Sequence, residues 1–246
     1  MVQQSHVDHV VRSMFETAII ERYRRRESSS VLVAIAVNQA GYREVLGVAE
    51  GAKEDKEGWS GFLRHLKKRG LKGVQLFISD KCLGLVESLG EFYPSSRWQR
   101  CVVHFYRNVF SVVPRGRMKE VSALLKAIHA QEDRKAMIEK IRAIARKLKD
   151  MKLSKAEEKV KNGALETLSY THYPREHWRN IRTNNPLERI LREVRRRTRV
   201  VGCFPDGQSA FLLAAARLRH VAGTKWGTRR YINMDHFKEL AEDSAA

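Results

Sequence analysis

"SVLVAIAVNQAGYREVLGVAEG", residues 30–51, decides the fold. Two apolar, β-branched runs flank Asn38-Gln39-Ala40-Gly41, so the segment reads as a β-hairpin. Downstream, Asp55–Arg69 spaces Trp59, Phe62, Leu63 and Leu66 at helical intervals, and Gly70 stops the helix. "GVQLFISD", residues 73–80, suits a buried strand that ends on an acid. Leu83–Leu89 then suits a short helix and Trp98–Val103 a further strand. The order β-β-α-β-α-β predicts an α/β core. Residues 1–29, closing with the charge-dense ERYRRRESSS, are polar and irregular and hold a short helix at most.

From His104 to about Ser169 only helical periodicity is present. Leu124, Leu125 and Ile128 form one stripe; Met137, Ile138, Ile141, Ile144 and Leu148 form another. The 107 residues between Asp80 and Glu188 are too many for a loop, so a mostly helical insertion is expected there. The resulting division is 1–29, a first part of the core at 30–104, the insertion at 105–175, and the returning core at 176–246. That last part carries helices at Pro186–Thr198 and Gly207–Val221, with proline well placed at a first helical position.

Charge narrows the function. The 246 residues include 47 Lys+Arg against 28 Asp+Glu, a formal net charge of +19. Counterion release from phosphates makes nucleic acid the expected partner of so cationic a globular chain; a solvated basic surface is the alternative. The longest uncharged apolar runs, such as Val31–Val37 and Ala210–Ala216, are too short to cross a bilayer, so no membrane partner is expected. MVQQSHVDHV has no basic start followed by an apolar stretch, so no secretory leader is expected. Cys82, Cys101 and Cys203, odd in number and widely spaced, read as reduced thiols of a cytoplasmic protein.

The candidate chemistry rests on two acids and an arginine run. Asp80 ends a buried strand, where α/β sheets present ligand-binding residues; the alternative is a cap on the following helix. Glu188, in "TNNPLERILREVRRRTRV" (residues 183–200), is either a first-turn acid favoured by the helix dipole or a metal ligand. Together the two carboxylates suit Mg²⁺, which takes one or two carboxylates plus water and phosphate oxygens. Arg189, Arg192, Arg195, Arg196, Arg197 and Arg199 wrap the same helix, with 189, 192, 196 and 199 along one side, and only Glu188 and Glu193 balance them. Guanidinium groups suit bidentate phosphate contact, which is favoured over a merely solvated face. Cys101-X-X-His104 has a zinc-compatible spacing but no convincing second pair of ligands nearby, so His104 reads as a strand-end residue at an active-site rim or as core.

"VLVAIAVNQAGYREVLG", "LKGVQLFISD", "WQRCVVHFYRN" and "HWRNIRTNNPLERILREVRRRT" resemble the Mutator-type transposases of bacterial insertion sequences, over most of the chain from about Ser30 to Leu240. The resemblance implies a ribonuclease-H-like catalytic core interrupted by a helical insertion, with a DDE triad of metal-binding acids. Asp80 matches the second acid and Glu188 the third; both would hold Mg²⁺ or Mn²⁺. Cys101 and His104 match the family's Cys-X-X-His signature, and Asn184 and Pro186 the turn that presents the glutamate. The implied reaction is nicking at transposon ends and strand transfer into target DNA, by a homo-oligomer assembled on DNA in the cytoplasm, associated with the nucleoid when bound. The departure lies at the front. The window for the first aspartate, "FETAIIERYRRRESSS", has none; Glu16 and Glu21 are its nearest acids, and Asp8 lies upstream in an unmatched context. The family's N-terminal DNA-binding region also has no counterpart, as in a copy truncated at that end. The alternative function is a non-catalytic DNA-binding protein, either a transposase remnant left by loss of the first acid or a basic regulator.

Overall fold

The structure, a computed structural model, describes residues 12–21, 28–51, 56–201 and 207–235; Asp8, Asp55 and Cys203 lie outside them. The chain is mixed α/β and mostly helical. It forms two compact units: residues up to Trp98 together with Asn184 onward, and Gln99–Thr183 between them. The helical segment therefore starts earlier and ends later than the 105–175 read from the sequence, and takes Cys101 and His104 with it.

The sheet consists of β1 (Arg12–Glu21), β2 (Ser28–Val37), β3 (Arg43–Gly51) and β4 (Leu76–Ser79), all in the first unit, and β5 (Arg97–Arg100), within which that unit's first stretch ends; the order is β3-β2-β1-β4-β5. β2 runs antiparallel to both β1 and β3, whereas β4 runs parallel to β1. Every residue of Val31–Val37 is buried, which explains a continuous apolar run rather than an alternating one. Leu32, Ala34 and Ala36 join a core with Trp59, Phe62, Leu63 and Leu66 of α1 (Lys56–Lys68) and Leu85 and Leu89 of α2 (Leu83–Phe92). Val31, Val33, Ile35 and Val37 alternate to the opposite face. α8 (Asn185–Val201) packs on β1, and α9 (Gly207–Ala222) on β3. Each large side chain buried in these layers contributes about 1.5–3 kcal/mol.

Two glycines permit close approaches. A Cβ on Gly47 of β3 would stand 2.9 Å from Leu66 Cδ2, so its absence lets α1 settle on the sheet. Gly41, at φ +86°, turns the hairpin, and its carbonyl accepts the N–H groups of Tyr231 (2.7 Å) and Ile232 (3.2 Å). Arg43 lies over the rings of both Trp226 (4.9 Å) and Tyr231 (4.7 Å). The segment beyond α9 is thus fastened to the hairpin by backbone bonds and cation–π contacts.

Two expectations are corrected. Arg12–Glu21 is a ten-residue strand at the centre of the sheet, not a short helix in an irregular tail. Its hydrogen bonds go to β2 and β4, partners that local periodicity does not reveal. The strand expected at Trp98–Val103 ends at Arg100; Cys101 turns the chain and Val102 already opens α3 (Val102–Phe110).

In the second unit, α3, α4 (Met118–Ile128), α5 (Arg134–Asp150), α6 (Ser154–Gly163) and α7 (Trp178–Ile181) surround a core of Phe105, Leu125, Ile128, Met137, Ile144, Leu148 and Val160. A buried polar network ties it together. Gln99 Nε2 donates to the carbonyls of Arg100 and Thr167, both at 2.7 Å, and its Oε1 accepts the Tyr170 N–H at 2.9 Å. His129 Nδ1 lies 3.1 Å from the Tyr170 hydroxyl. Burial, with the Arg182 charge adding to it, holds His129 down at about pKa 3.

That depression has a sign. His129 is neutral when folded and takes up a proton in the unfolded chain below its ordinary value of 6.5. Its stabilisation is complete above pH 6.5 and is lost as pH falls toward 3, by at most about 1.4 kcal/mol per pH unit. Urea melts between pH 7.5 and 5 should show this loss, and His129→Gln should flatten it. An identical pH dependence in the variant would contradict the assignment.

Candidate active site and nucleic-acid interface

All four residues of β4 are buried, and the chain emerges at Asp80, which is exposed. Its Oδ1 accepts the Lys81 N–H at 2.7 Å, and its carbonyl accepts the Ser79 hydroxyl at 2.7 Å and the Cys82 N–H at 3.0 Å. The N-cap of α2 is Cys82, without a side-chain cap bond. The helix-capping alternative for Asp80 therefore falls.

Glu188 is half-buried in the first turn of α8. Asn184, fully buried, receives the N–H groups of Leu187 (2.9 Å) and Glu188 (3.1 Å) on its carbonyl. Pro186 follows one residue into the helix, where a missing N–H costs no intrahelical bond. The Asn-Asn-Pro turn thus sets where the glutamate leaves the helix, and the helix dipole favours its charge there. Asp80 and Glu188 belong to one unit, and their elements meet at the same strand: β4 pairs with β1, and α8 packs on it. Among the described residues no three of His, Cys, Asp and Glu gather into a group that could hold a metal ion.

α8 divides by side. Leu187, Ile190, Leu191, Val194 and Thr198 are buried, whereas Arg189, Arg192, Arg196, Arg197 and Arg199 are exposed and Arg195 is partly so. The six arginines are not equivalent. Glu193 accepts Arg196 Nε (2.8 Å) and Nη2 (3.0 Å), Arg197 Nε (3.1 Å), and Arg217 Nη2 (2.9 Å) from α9. The hydrogen bonds from Arg196 and Arg197 hold its carboxyl down at about pKa 2, with the Arg196 and Arg217 charges assisting. The sequence reading missed Arg217 altogether. The i+3 and i+4 spacing of Arg196 and Arg197 from Glu193 was visible, but a partner 24 residues on was not.

Cys101 is fully buried at the head of α3, outside any disulfide among the described residues, and His104 is half-buried one turn on. Both lie in the second unit. Cys82 is likewise in no disulfide among the described residues. Among the described residues no helix is long and apolar enough to cross a membrane.

Residues 9–226 match the family model described as "Transposase, Mutator family". The transposase for insertion sequence element IS1081 of Mycobacterium tuberculosis is 39% identical over 204 residues, covering 83% of this chain and 49% of that protein. The transposase for ISRM5 of Rhizobium meliloti is 36% identical, covering 86% of this chain and 53% of its own. That for IS256 in transposon Tn4001 of Staphylococcus aureus is 35% identical, covering 85% and 54%. The chain spans about half the length of these curated relatives. A solved Drosophila P element transposase strand transfer complex aligns over 98% of this chain and 73% of that one at 13% identity, with a TM-score of 0.33, too loose an overlap to bear on the fold. With the family model covering most of its length, the chain belongs to the Mutator family of transposases.

Proposed function

We propose that this protein is a DDE-type insertion-sequence transposase that nicks DNA at transposon ends and joins the freed 3′ ends to target DNA. One observation carries the reading: Asp80 stands at the end of a buried strand, and Glu188 heads a helix, that share β1 as their common neighbour. The strand order β3-β2-β1-β4-β5, with only β2 reversed among β1, β2 and β4, supports a ribonuclease-H-like core.

The first acid comes from β1. β1 and β4 pair in parallel at Ser13 with Phe77 and Met14 with Ile78. Continued two residues along, that register brings Glu16 level with Asp80. Glu21 is five residues farther on, about 16 Å along an extended strand, at the end that pairs with Ser28. Glu16 is therefore the acid of this chain that takes the first position, a glutamate where the family resemblance implies an aspartate.

Carboxylate oxygens are the donors that Mg²⁺ and Mn²⁺ take, and one or two carboxylates with water and phosphate oxygens suffice; Asp80 and Glu188 would hold such an ion, with Glu16 the proposed third acid. A divalent cation bound there supplies Lewis-acid activation of water and stabilises charge on the leaving oxygen. The exposed arginines of α8 bind and orient the phosphodiester backbone. Copies of the chain assembled on the DNA would bring two ends together. The second reading, a DNA-binding protein that no longer cuts, is favoured by the lengthened first acid and by the lack of a three-ligand group among the described residues.

Nicking of the element's own end DNA with Mg²⁺ or Mn²⁺ separates the two readings. Glu188→Gln and Asp80→Asn should each lower the rate by at least about 100-fold, since even a residue that only supports a metal ligand can cost that much. Glu16→Gln should do the same and Glu21→Gln should leave the rate unchanged. DNA binding without any nicking would establish the second reading.

A further inference from the structure

We infer that Glu193 organises Arg196, Arg197 and Arg217 into a backbone-phosphate clamp that joins α8 to α9. The inference rests on the DNA reading above and deepens it by naming a phosphate site and a residue on a second helix.

The geometry is a fan of guanidinium groups on one carboxylate. Arg196 grips it with two nitrogens, and Arg197 and Arg217 with one each, all between 2.8 and 3.1 Å. Three positive charges against one negative leave the cluster at +2. Arg196 and Arg197 have side chains 59% and 51% exposed, so the cluster is open to a ligand rather than a closed structural bridge. Each guanidinium carries five N–H donors and spends one or two on Glu193, which leaves donors for an anion. An isolated exposed arginine must give up rotamer freedom when it contacts a phosphate; these three are already held. Exposed ion pairs contribute little to stability, so a structural role alone gives a weak account of so dense a cluster.

The inference makes an unusual prediction, because Glu193 is an acid in a DNA-binding surface. Glu193→Gln raises the formal charge from +19 to +20, and unaided electrostatics then predicts tighter binding to DNA. The clamp predicts the reverse: affinity for a short duplex falls several-fold, because the arginines lose their anchor. Arg217→Lys keeps the charge but not the planar fork, and should also weaken binding several-fold. Arg217→Ala should make the salt dependence of binding shallower by about one unit. Thermal melts of each variant would be compared with the unmodified chain, and Arg217→Lys, the mildest change, serves where Glu193→Gln is loosened. Binding by Glu193→Gln as tight as or tighter than the unmodified chain, with Arg217→Lys unchanged, would overturn the clamp. Failure of the unmodified chain to show salt-dependent binding is a separate result; it would overturn the nucleic-acid reading on which the clamp rests.

Discussion

The hydrogen bonding of β1 along both of its edges is the constraint on which the rest depends. A central strand must satisfy the backbone groups of both edges, and here β2 takes one edge over all ten residues while β4 takes the other in parallel. Parallel pairing fixes which end of β4 lies beside which end of β1, and so where Asp80 emerges. The same strand supports α8, which heads with Glu188. Two acids separated by 107 residues thus have one strand in common.

Much of this was legible in the sequence, and the parts that were not share a physical reason. The β2–β3 hairpin, α1 and the α8 arginine helix are specified locally, by apolar runs, turn residues and helical spacing. β1 is not, because Glu16 and Thr17 interrupt its apolar residues and its identity as a strand comes from distant partners. The change from β5 to α3 at Cys101 was misplaced because Val102 and Val103 are β-branched, and packing of Val102, Phe105 and Val109 overrides that weak preference. The positions of Asp80 at a strand end and of Glu188 in a first helical turn were legible from their contexts, whereas the competing cap reading of Asp80 was removed only by seeing Cys82 at the helix start.

α8 shows how one helix can carry a core face and a basic face together. Its apolar residues recur on one side, from Leu187 through Val194, and dock on the sheet. Its arginines occupy what remains, and Glu193 divides them into a tethered pair and a set at 189, 192, 195 and 199. The tethered pair reaches α9 through Arg217, so the basic surface is wider than the helix whose sequence announces it.

The most direct measurement is Mn²⁺ binding by calorimetry to the unmodified chain and to Glu16→Gln, Asp80→Asn and Glu188→Gln, each checked for native folding. The account predicts binding by the unmodified chain and its loss or marked weakening in each of the three variants. Binding that survives Glu16→Gln while failing in the other two would remove β1 from the metal site. Binding indifferent to all three would contradict the site itself.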